Sequence, residues 1–294
     1  MNTNNKKGIP SKEKTNNIIF NSYREYIAHI TEADTPFYTN IYNCLEEWFD
    51  SNILLMEQSE RTVIILKQRD SYIELFFYTT NLDELADHIL KLDKYEHQLV
   101  ISLIYHQDKT LISYFENNSF FYIYGGIVKL TAKKSQLLYD RNTSDTNNIV
   151  YPDENDVKTL QDMHHKVFNK FIDSHLSIES IIKMINDKNI LVYKENNNIL
   201  AVITFIHKEN KCHIQYWFKN PDIKTKNAGK KLFFYLLNQI DENTLVEIWS
   251  RKDNSYITAF YEQLGFKQDS TNWDTILIKH HIDQNDVLKP LYRK

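Results

Sequence analysis

The sequence predicts a mixed α/β protein of two similar domains, each a mostly antiparallel mixed sheet flanked by helices. In the second half, segments with helical and strand periodicity follow one another in the order ααβββαβαβ. The first half shows a similar order of strands and helices. Residues 97–120 also align without a gap on residues 243–266, with four identical pairs. These patterns predict a tandem repeat.

The elements of the second half follow from the spacing of apolar residues. Two amphipathic helices are predicted within 154–186, with a break at 173–175. Runs rich in β-branched residues and separated by polar turns predict three strands, at 189–194, 198–207 and 211–219. After a polar loop the pattern predicts a helix with an apolar stripe at 232–240, a strand at 244–249, a helix near 256–264 and a strand at 275–279.

The first half repeats the later part of this order. Its predicted elements are strands at 62–67, 72–78, 99–105 and 121–130, and helices at 82–92 and near 111–117. A polar run at 140–148 has linker composition. We therefore expect a flexible tail at 1–17, a first domain at 18–140, a second domain at 149–282 and a carboxy-terminal tail at 283–294.

Composition excludes several classes of protein. The chain has 35 Lys and Arg against 39 Asp and Glu, so its net charge of −4 offers no overall attraction to nucleic acid. No apolar stretch approaches the 18–20 residues of a membrane span, and residues 1–17 lack the apolar core of a secretory signal. Two cysteines are too few for a disulfide framework or a four-thiolate zinc site. We expect a cytoplasmic protein without membrane or nucleic-acid partners.

The loop at 221–231 carries the clearest chemical signal. It lies between a predicted strand and a predicted helix, where main-chain N–H groups and the helix start favour a bound phosphate. Four lysines add positive charge, at 224, 226, 230 and 231. The same residues also fit a solvated lysine-rich loop in which Gly229 only permits a turn.

Two motifs make the second half resemble the GNAT superfamily of acyl-CoA-dependent N-acyltransferases. The family's loop, Arg/Gln-x-x-Gly-x-Gly/Ala, is similar to residues 224–229, and its later signature is similar to Asn254, Tyr261 and the Gly-Phe pair at 265–266. Lys224 departs from the family's Arg or Gln, and Asn227 from its first glycine. Asparagine tolerates the left-handed conformation better than most residues, so the loop is expected to close.

The resemblance implies an acyl-CoA site in this half and no metal. The CoA diphosphate would lie on the loop amides, and the pantetheine arm would pair with the main chain at 218–220. The implied cofactor-binding residues are Phe218, Lys219, Asn220, Lys224, Thr225, Lys226, Asn227, Ala228, Gly229, Lys230, Asn254 and Phe260.

The resemblance also implies two catalytic residues. Tyr261 would protonate the CoA thiolate, although a core aromatic is the alternative reading of this position. His213 would take a proton from the amine. A packed or surface histidine, with deprotonation through water, is the alternative for that position.

The first half lacks the residues that the resemblance implies for catalysis and for CoA binding. The alignment places Phe115 opposite Tyr261 and Ser119 opposite Gly265, and the loop shrinks to 78–81. Gly125 and Gly126 are expected to mark a strand bulge rather than a nucleotide loop. We therefore expect a degenerate amino-terminal copy beside a working carboxy-terminal copy.

The function expected from the resemblance is transfer of an acyl group, most simply acetyl, from acyl-CoA to a primary amine by direct attack. An alternative keeps the fold without catalysis, as an acyl-CoA-binding sensor or scaffold. A third hypothesis is aminoacyl transfer directed at tRNA or peptidoglycan, which requires a basic groove. The identity of the amine, the acyl chain length and the oligomeric state do not follow from the sequence.

Overall fold

The computed structural model describes most of the chain. The described residues are 38–40, 53–59, 61–69, 72–92, 98–105, 109–119, 121–141, 146–173 and 175–278. They divide into two compact units. Those of the first unit lie within Met1–Leu103, Leu111–Tyr122 and Ile276–Gln284, and those of the second within Ile104–Thr110 and Ile123–Thr275.

The first unit is built on a small mixed sheet. Its strands are β1 (Tyr38–Thr39), β2 (Ile53–Gln58), β3 (Thr62–Gln68), β4 (Ile73–Thr79) and β5 (Leu99–Tyr105), and its helices are α1 (Leu82–Leu90) and α2 (Thr110–Asn117). The strand order is β2-β3-β4-β5, with β1 beside β4. Among the described strands of this unit, β4 and β5 form the parallel pair, joined at residues 73–74 and 99–100.

Local sequence explains how α1 begins. The side chain of Asn81 accepts hydrogen bonds from the N–H groups of Asp83 and Glu84, which satisfies two otherwise unpaired donors of the first turn.

The core of this unit includes Phe115, which is fully buried and packs edge-on against Phe121 with ring centroids 4.6 Å apart. Phe115 is thus a core residue of the first unit.

The second unit contains a longer mixed sheet. Its strands are β6 (Phe121–Lys133), β7 (Ile149–Val150), β8 (Ile190–Glu195), β9 (Asn198–Lys208), β10 (Lys211–Lys219), β11 (Leu245–Arg251) and β12 (Lys267–Ile278). Its helices are α3 (Val157–Val167), α4 (Ile178–Asn186), α5 (Ala228–Gln239) and α6 (Ser255–Gln263). The strand order is β12-β6-β11-β10-β9-β8-β7, and β10 is parallel to β11.

Side chains alternate across this sheet and pack against helices on both faces. Ile190 and Val192 belong to a core cluster with residues of α3 and α4. Leu191 and Tyr193 belong to another, which includes residues of α5 and α6. Successive residues of a strand point to opposite faces, so helices cover both sides of the sheet. The predicted fold class and the order ααβββαβαβ are confirmed.

The division into units differs from the boundary expected at 140–148. Residues 127–133 of β6 pair antiparallel with residues 245–251 of β11, so most of β6 belongs to the second unit. Residues 276–278 at the end of β12 belong to the first unit. Composition marks linkers, whereas the partner of a strand depends on hydrogen bonds to a segment far away in the chain.

The glycine pair lies within β6. A Cβ atom added to Gly126 would stand 2.0 Å from Oδ1 of Asp274 and 2.5 Å from the carbonyl oxygen of Trp273. The absence of a side chain at Gly126 therefore allows Asp274 and the main chain of Trp273 to approach β6 closely.

Within the described parts of the chain, no helix has the length and apolar content required to cross a bilayer.

Candidate active site

Strands β10 and β11 lie side by side for only part of their length. Their parallel pairing joins residues 211–214 to residues 245–248. β10 continues beside β9 as far as Lys219, with a register shift between Ile214 and Tyr216. An irregularity of this kind bends a strand, so β10 separates from β11 beyond Ile214. The side of β10 that faced β11 is then open to hydrogen bonding with an extended ligand, as at a sheet edge.

The loop before α5 enters the helix through a residue in the left-handed conformation. Asn227 has φ 63° and ψ −1°, the left-handed conformation, at the position where the family pattern has its first glycine. Its carbonyl oxygen accepts a hydrogen bond from the N–H of Lys231 at 2.8 Å, and α5 begins at Ala228. The N–H groups of the first turn are thus directed out of the helix start, where an anion is stabilised.

A cavity of about 270 Å³ adjoins this loop. The loop side is formed by Ile223, Lys224, Thr225, Lys226 and Ala228, and the remaining lining residues are Glu195, Asn196, Asn198 and Leu200. The hydroxyl of Thr225 is buried and has no hydrogen-bond partner among the described residues. Since an unpaired buried hydroxyl costs about 1–3 kcal/mol, it favours a ligand that offers an oxygen. These features fit the diphosphate of CoA.

Gly229 brings the loop close to β10. A Cβ atom at this position would lie 3.4 Å from Nε1 of Trp217, whose N–H donates to the Gly229 carbonyl oxygen at 3.0 Å. This hydrogen bond ties the first turn of α5 to the part of β10 that has left β11. The loop cavity and the strand gap are therefore held in a fixed relation.

A cleft of about 250 Å³ occupies the region where β10 and β11 separate. Three of the predicted site residues, His213, Asn254 and Tyr261, line it together. The complete lining is Ile127, Phe168, Ile172, Asp173, His213, Ile214, Gln215, Tyr216, Trp217, Ile248, Trp249, Ser250, Arg251, Asn254, Ile257, Tyr261 and Trp273.

Tyr261 reaches the cleft from α6 and is also packed in the core. Its side chain is only 3% exposed, and its ring lies 5.8 Å from that of Trp217 and 5.7 Å from that of Phe266. The packing agrees with the core-aromatic reading, and the same residue lines the cleft, while its role as a proton donor stays a prediction. Packing on several sides restricts the ring, which orients a phenol that a reaction in the cleft can use.

His213 lies on the paired part of β10, opposite Glu247 of β11. Burial lowers the pKa of His213, with Glu247 acting in the opposite direction and Lys129 reinforcing the decrease. The imidazole is therefore neutral at pH 7, the form that can accept a proton.

Several predicted cofactor-binding side chains have other structural roles. Phe218 is buried in the cluster beneath α3, and its ring lies 5.2 Å from that of Phe168. The amide of Asn220 donates to Ile199 and accepts from the N–H of Asp222. The side chains of Phe218 and Asn220 are therefore already engaged within the protein.

The other predicted positions lie around the loop and α6. The Nζ of Lys230 lies 5.3 Å from the ring centroid of Phe234, and Lys219 is exposed. Phe260 packs on Trp217 outside the cleft lining. The side chain of Asn254 caps α6 by accepting from the N–H of Ile257 at 3.1 Å.

Sequence reasoning missed the acidic residue of the cleft. Asp173 follows α3 at the predicted helix break, and its carboxylate lines the cleft. Burial raises the pKa of Asp173 from 3.8 to about 6, against the opposing effects of Arg251 and the Asn169 N–H. No motif marks this position, because the helix break carries no information about which strands it faces.

His164 and His165 of α3, with His175 after it, pack on other aromatic rings. His164 is fully buried, between the rings of Phe168 and Tyr216 with centroids 4.5 Å away, and His165 stacks on His175 at 4.3 Å. Among the residues that the structure describes, no group of three His, Cys, Asp or Glu side chains could hold a metal ion.

Comparison with known proteins finds a family model that matches the second half of the chain. Residues 151–281 match the family model described as an acetyltransferase (GNAT) domain. No curated protein is similar in sequence to this chain. A GCN5-related N-acetyltransferase from Sphaerobacter thermophilus matches with a TM-score of 0.51 and 10% identity, covering 76% of this chain and 78% of that chain.

Two further solved structures are similar at lower TM-scores. A functionally unknown conserved protein from Staphylococcus epidermidis gives 0.49 with 13% identity, covering 76% of this chain and 93% of that one. A tandem GNAT protein from the clavulanic acid biosynthesis pathway gives 0.48 with 12% identity, covering 76% and 80%.

The fold and the family match define a transferase of the acetyltransferase class. The match to the GNAT acetyltransferase model extends over residues 151–281. Members of this family transfer acyl groups from acyl-CoA, so the predicted class of enzyme is confirmed at the level of the family.

Proposed function

We propose that this protein transfers an acetyl group from acetyl-CoA to a primary amine by direct attack. The proposal depends most on one observation. The separation of β10 from β11 creates a cleft that Tyr261 and His213 share. The hydrogen bond from Trp217 to Gly229 links this opening to the phosphate-binding loop.

The residues divide the binding of acyl-CoA between them. The N–H groups of 225–229 and the Thr225 hydroxyl bind the diphosphate, and Lys224 and Lys226 add positive charge beside the same cavity. The main chain of β10 beyond Ile214 pairs with the amide groups of the pantetheine arm. A thioester held in this way meets the amine with much of the entropic barrier already removed.

Tyr261 and His213 transfer protons during the reaction. His213 accepts one proton from the ammonium form of the acceptor and releases it to water. The amine nitrogen then bonds to the thioester carbon, and the C–S bond breaks as Tyr261 donates its phenolic proton to the CoA thiolate. The second proton lost by the nitrogen restores the Tyr261 phenol, so the enzyme returns to its initial state.

We also propose that the first unit is a degenerate copy without a CoA site. Only residues 80 and 81 separate β4 from α1, whereas residues 220–227 separate β10 from α5. Phe115 occupies the aligned position of Tyr261 and has no proton to donate. A calorimetric titration with CoA should therefore give one site per chain, and two sites would contradict this assignment.

Steady-state transfer to a panel of amines, followed by the release of free CoA thiol, tests the function. Tyr261→Phe should lower kcat by about 10²- to 10⁴-fold with unchanged affinity for CoA, because the ring and its packing remain. Tyr256→Phe is the matched control, since Tyr256 lies on the same helix and is 81% exposed. If the wild-type protein binds CoA and acetylates no amine, it is an acyl-CoA-binding sensor instead.

A further inference from the structure

Among the described residues that line the cleft, Asp173 is the acidic one. Asp173 lies on the segment between α3 and α4, and its side chain is 11% exposed. It shares the cleft lining with Tyr261 and His213. A carboxylate in such a place loses hydration and needs a cationic or hydrogen-bonding partner.

The surrounding residues supply only part of the hydrogen bonding and positive charge that this carboxylate requires. Among the described residues, the Asp173 carboxylate accepts one hydrogen bond, from the Asn169 N–H to Oδ2 at 3.1 Å. Of the described cations, Arg251 pairs with this carboxylate, and its Nη1 is 3.9 Å from Oδ2, beyond hydrogen-bond distance. The Arg251 guanidinium instead donates two hydrogen bonds to Asp253, at 2.9 and 2.7 Å. The charge of Asp173 is therefore incompletely balanced.

The walls near this carboxylate are aromatic and aliphatic. Trp249 and Trp273 meet edge to face with centroids 6.1 Å apart, and Phe168 packs on Tyr216 at 5.0 Å. All four line the cleft, together with Ile172. Aromatic faces attract cations and accommodate apolar groups, so these walls suit an organic cation with an apolar body.

We infer that Asp173 binds the ammonium group of the acceptor, and that the acceptor is a small primary amine, cationic at neutral pH, with an aromatic or aliphatic body. This inference rests on the proposed acetyl transfer and names the class of its second substrate. Asp173 is thus the residue that selects for positive charge, while His213 removes the proton from the amine once it is bound.

The remaining charged and titratable groups near Asp173 agree with this role. They are Arg251 and Asp253 from β11 and the turn after it, Tyr216 from β10, and His213 in the same cleft lining. Arg251 carries the only full positive charge among them at pH 7, and Asp253 already binds it.

Acetylation of a charged and an uncharged amine, compared in Asp173→Asn, tests the inference. 2-Phenylethylamine is an ammonium ion at pH 7 and aniline is neutral. The substitution should lower kcat/KM for 2-phenylethylamine by about 10- to 150-fold, the range for loss of a hydrogen bond to a charged group. It should lower kcat/KM for aniline by less than about threefold. Asp173→Glu should recover part of the selectivity.

Asp162→Asn is the matched control. It removes an exposed carboxylate of α3 that pairs with Lys158 and does not line the cleft, so selectivity should remain. Asn at 173 can still accept the Asn169 N–H, and circular dichroism verifies the fold.

Failure of the inference and failure of the proposed function give different results. An equal loss of activity toward both amines in Asp173→Asn, or no loss toward either, overturns the role of Asp173 while acetyl transfer stands. Absence of transfer to every amine overturns the proposed function. Calorimetric binding of 2-phenylethylamine to the CoA-saturated protein then decides the inference, because binding that is absent, or equal in wild type and Asp173→Asn, contradicts it.

Discussion

Replacing the buried His164 by phenylalanine should stabilise the protein and weaken the dependence of its stability on pH. His164 is fully buried, and neither Nδ1 nor Nε2 has a hydrogen-bond partner among the described residues. A neutral imidazole always carries one N–H donor. Leaving that donor unpaired costs about 1–3 kcal/mol, and phenylalanine removes the donor while keeping a ring in the aromatic cluster.

The size of the pH effect follows from the pKa of this residue. Burial, with smaller contributions from His175 and His165, lowers the pKa of His164 from 6.5 to about 3. Between these values the unfolded chain binds a proton that the folded protein excludes, so stability is lost as the pH falls below 6.5. From pH 8 to pH 5 the free energy of unfolding should fall by about 2 kcal/mol from this residue alone.

This figure does not depend on the exact pKa in the folded protein. At pH 5 the unfolded chain holds nearly one full proton at this site, and any folded pKa below about 4 leaves the native imidazole neutral. The prediction therefore depends on the burial of the ring and on the pKa of the unfolded chain.

Urea unfolding followed by tryptophan fluorescence, at pH 8 and pH 5, measures the effect. The difference in unfolding free energy between His164→Phe and wild type should be about 2 kcal/mol larger at pH 5 than at pH 8, with an unchanged m-value. His207→Gln is the control, because His207 is exposed and its ring is hydrated in both states. Equal pH dependence in wild type and His164→Phe would refute the reasoning.

Three further predictions concern the strand glycines, the loop and the cleft. Gly126→Ala should lower the free energy of unfolding by about 1–3 kcal/mol in thermal unfolding, because its Cβ would meet Asp274 at 2.0 Å. Gly125→Ala should cost less, because its Cβ meets only the flexible end of a side chain. In a calorimetric titration, Asn227→Gly should preserve the affinity for CoA. Asn227→Val should weaken that affinity, because a β-branched residue is strained at φ 63°. Equal affinities in the two variants would contradict the assignment of this loop to CoA. The kcat/KM for an ammonium substrate should decrease as the pH falls through about 6, where Asp173 becomes neutral, and this step should vanish in Asp173→Asn.

The sequence predicted the order of elements in the second half because each element has its own periodicity. Amphipathic helices and β-branched runs can be recognised from nearby residues alone. The loop before α5 was found for a different reason. Its pattern requires a residue that tolerates the left-handed conformation, and Asn227 adopts that conformation.

The features that the sequence did not predict depend on distant contacts. The strand predicted at 275–279 begins at Lys267 in the structure, and its first residues are polar and largely exposed. They carry no strand pattern, because their partners rather than their side chains hold them in the sheet. The pairing of β6 with β11 and the position of Asp173 in the cleft likewise depend on segments far apart in the chain.

A crystal structure of the protein with bound CoA tests the central claim most directly. The diphosphate oxygens should lie within about 3.2 Å of main-chain nitrogens in 225–229, and the thiol should point into the cleft beside Tyr261. A diphosphate bound to residues of the first unit, or a CoA thiol outside the cleft, would contradict the account.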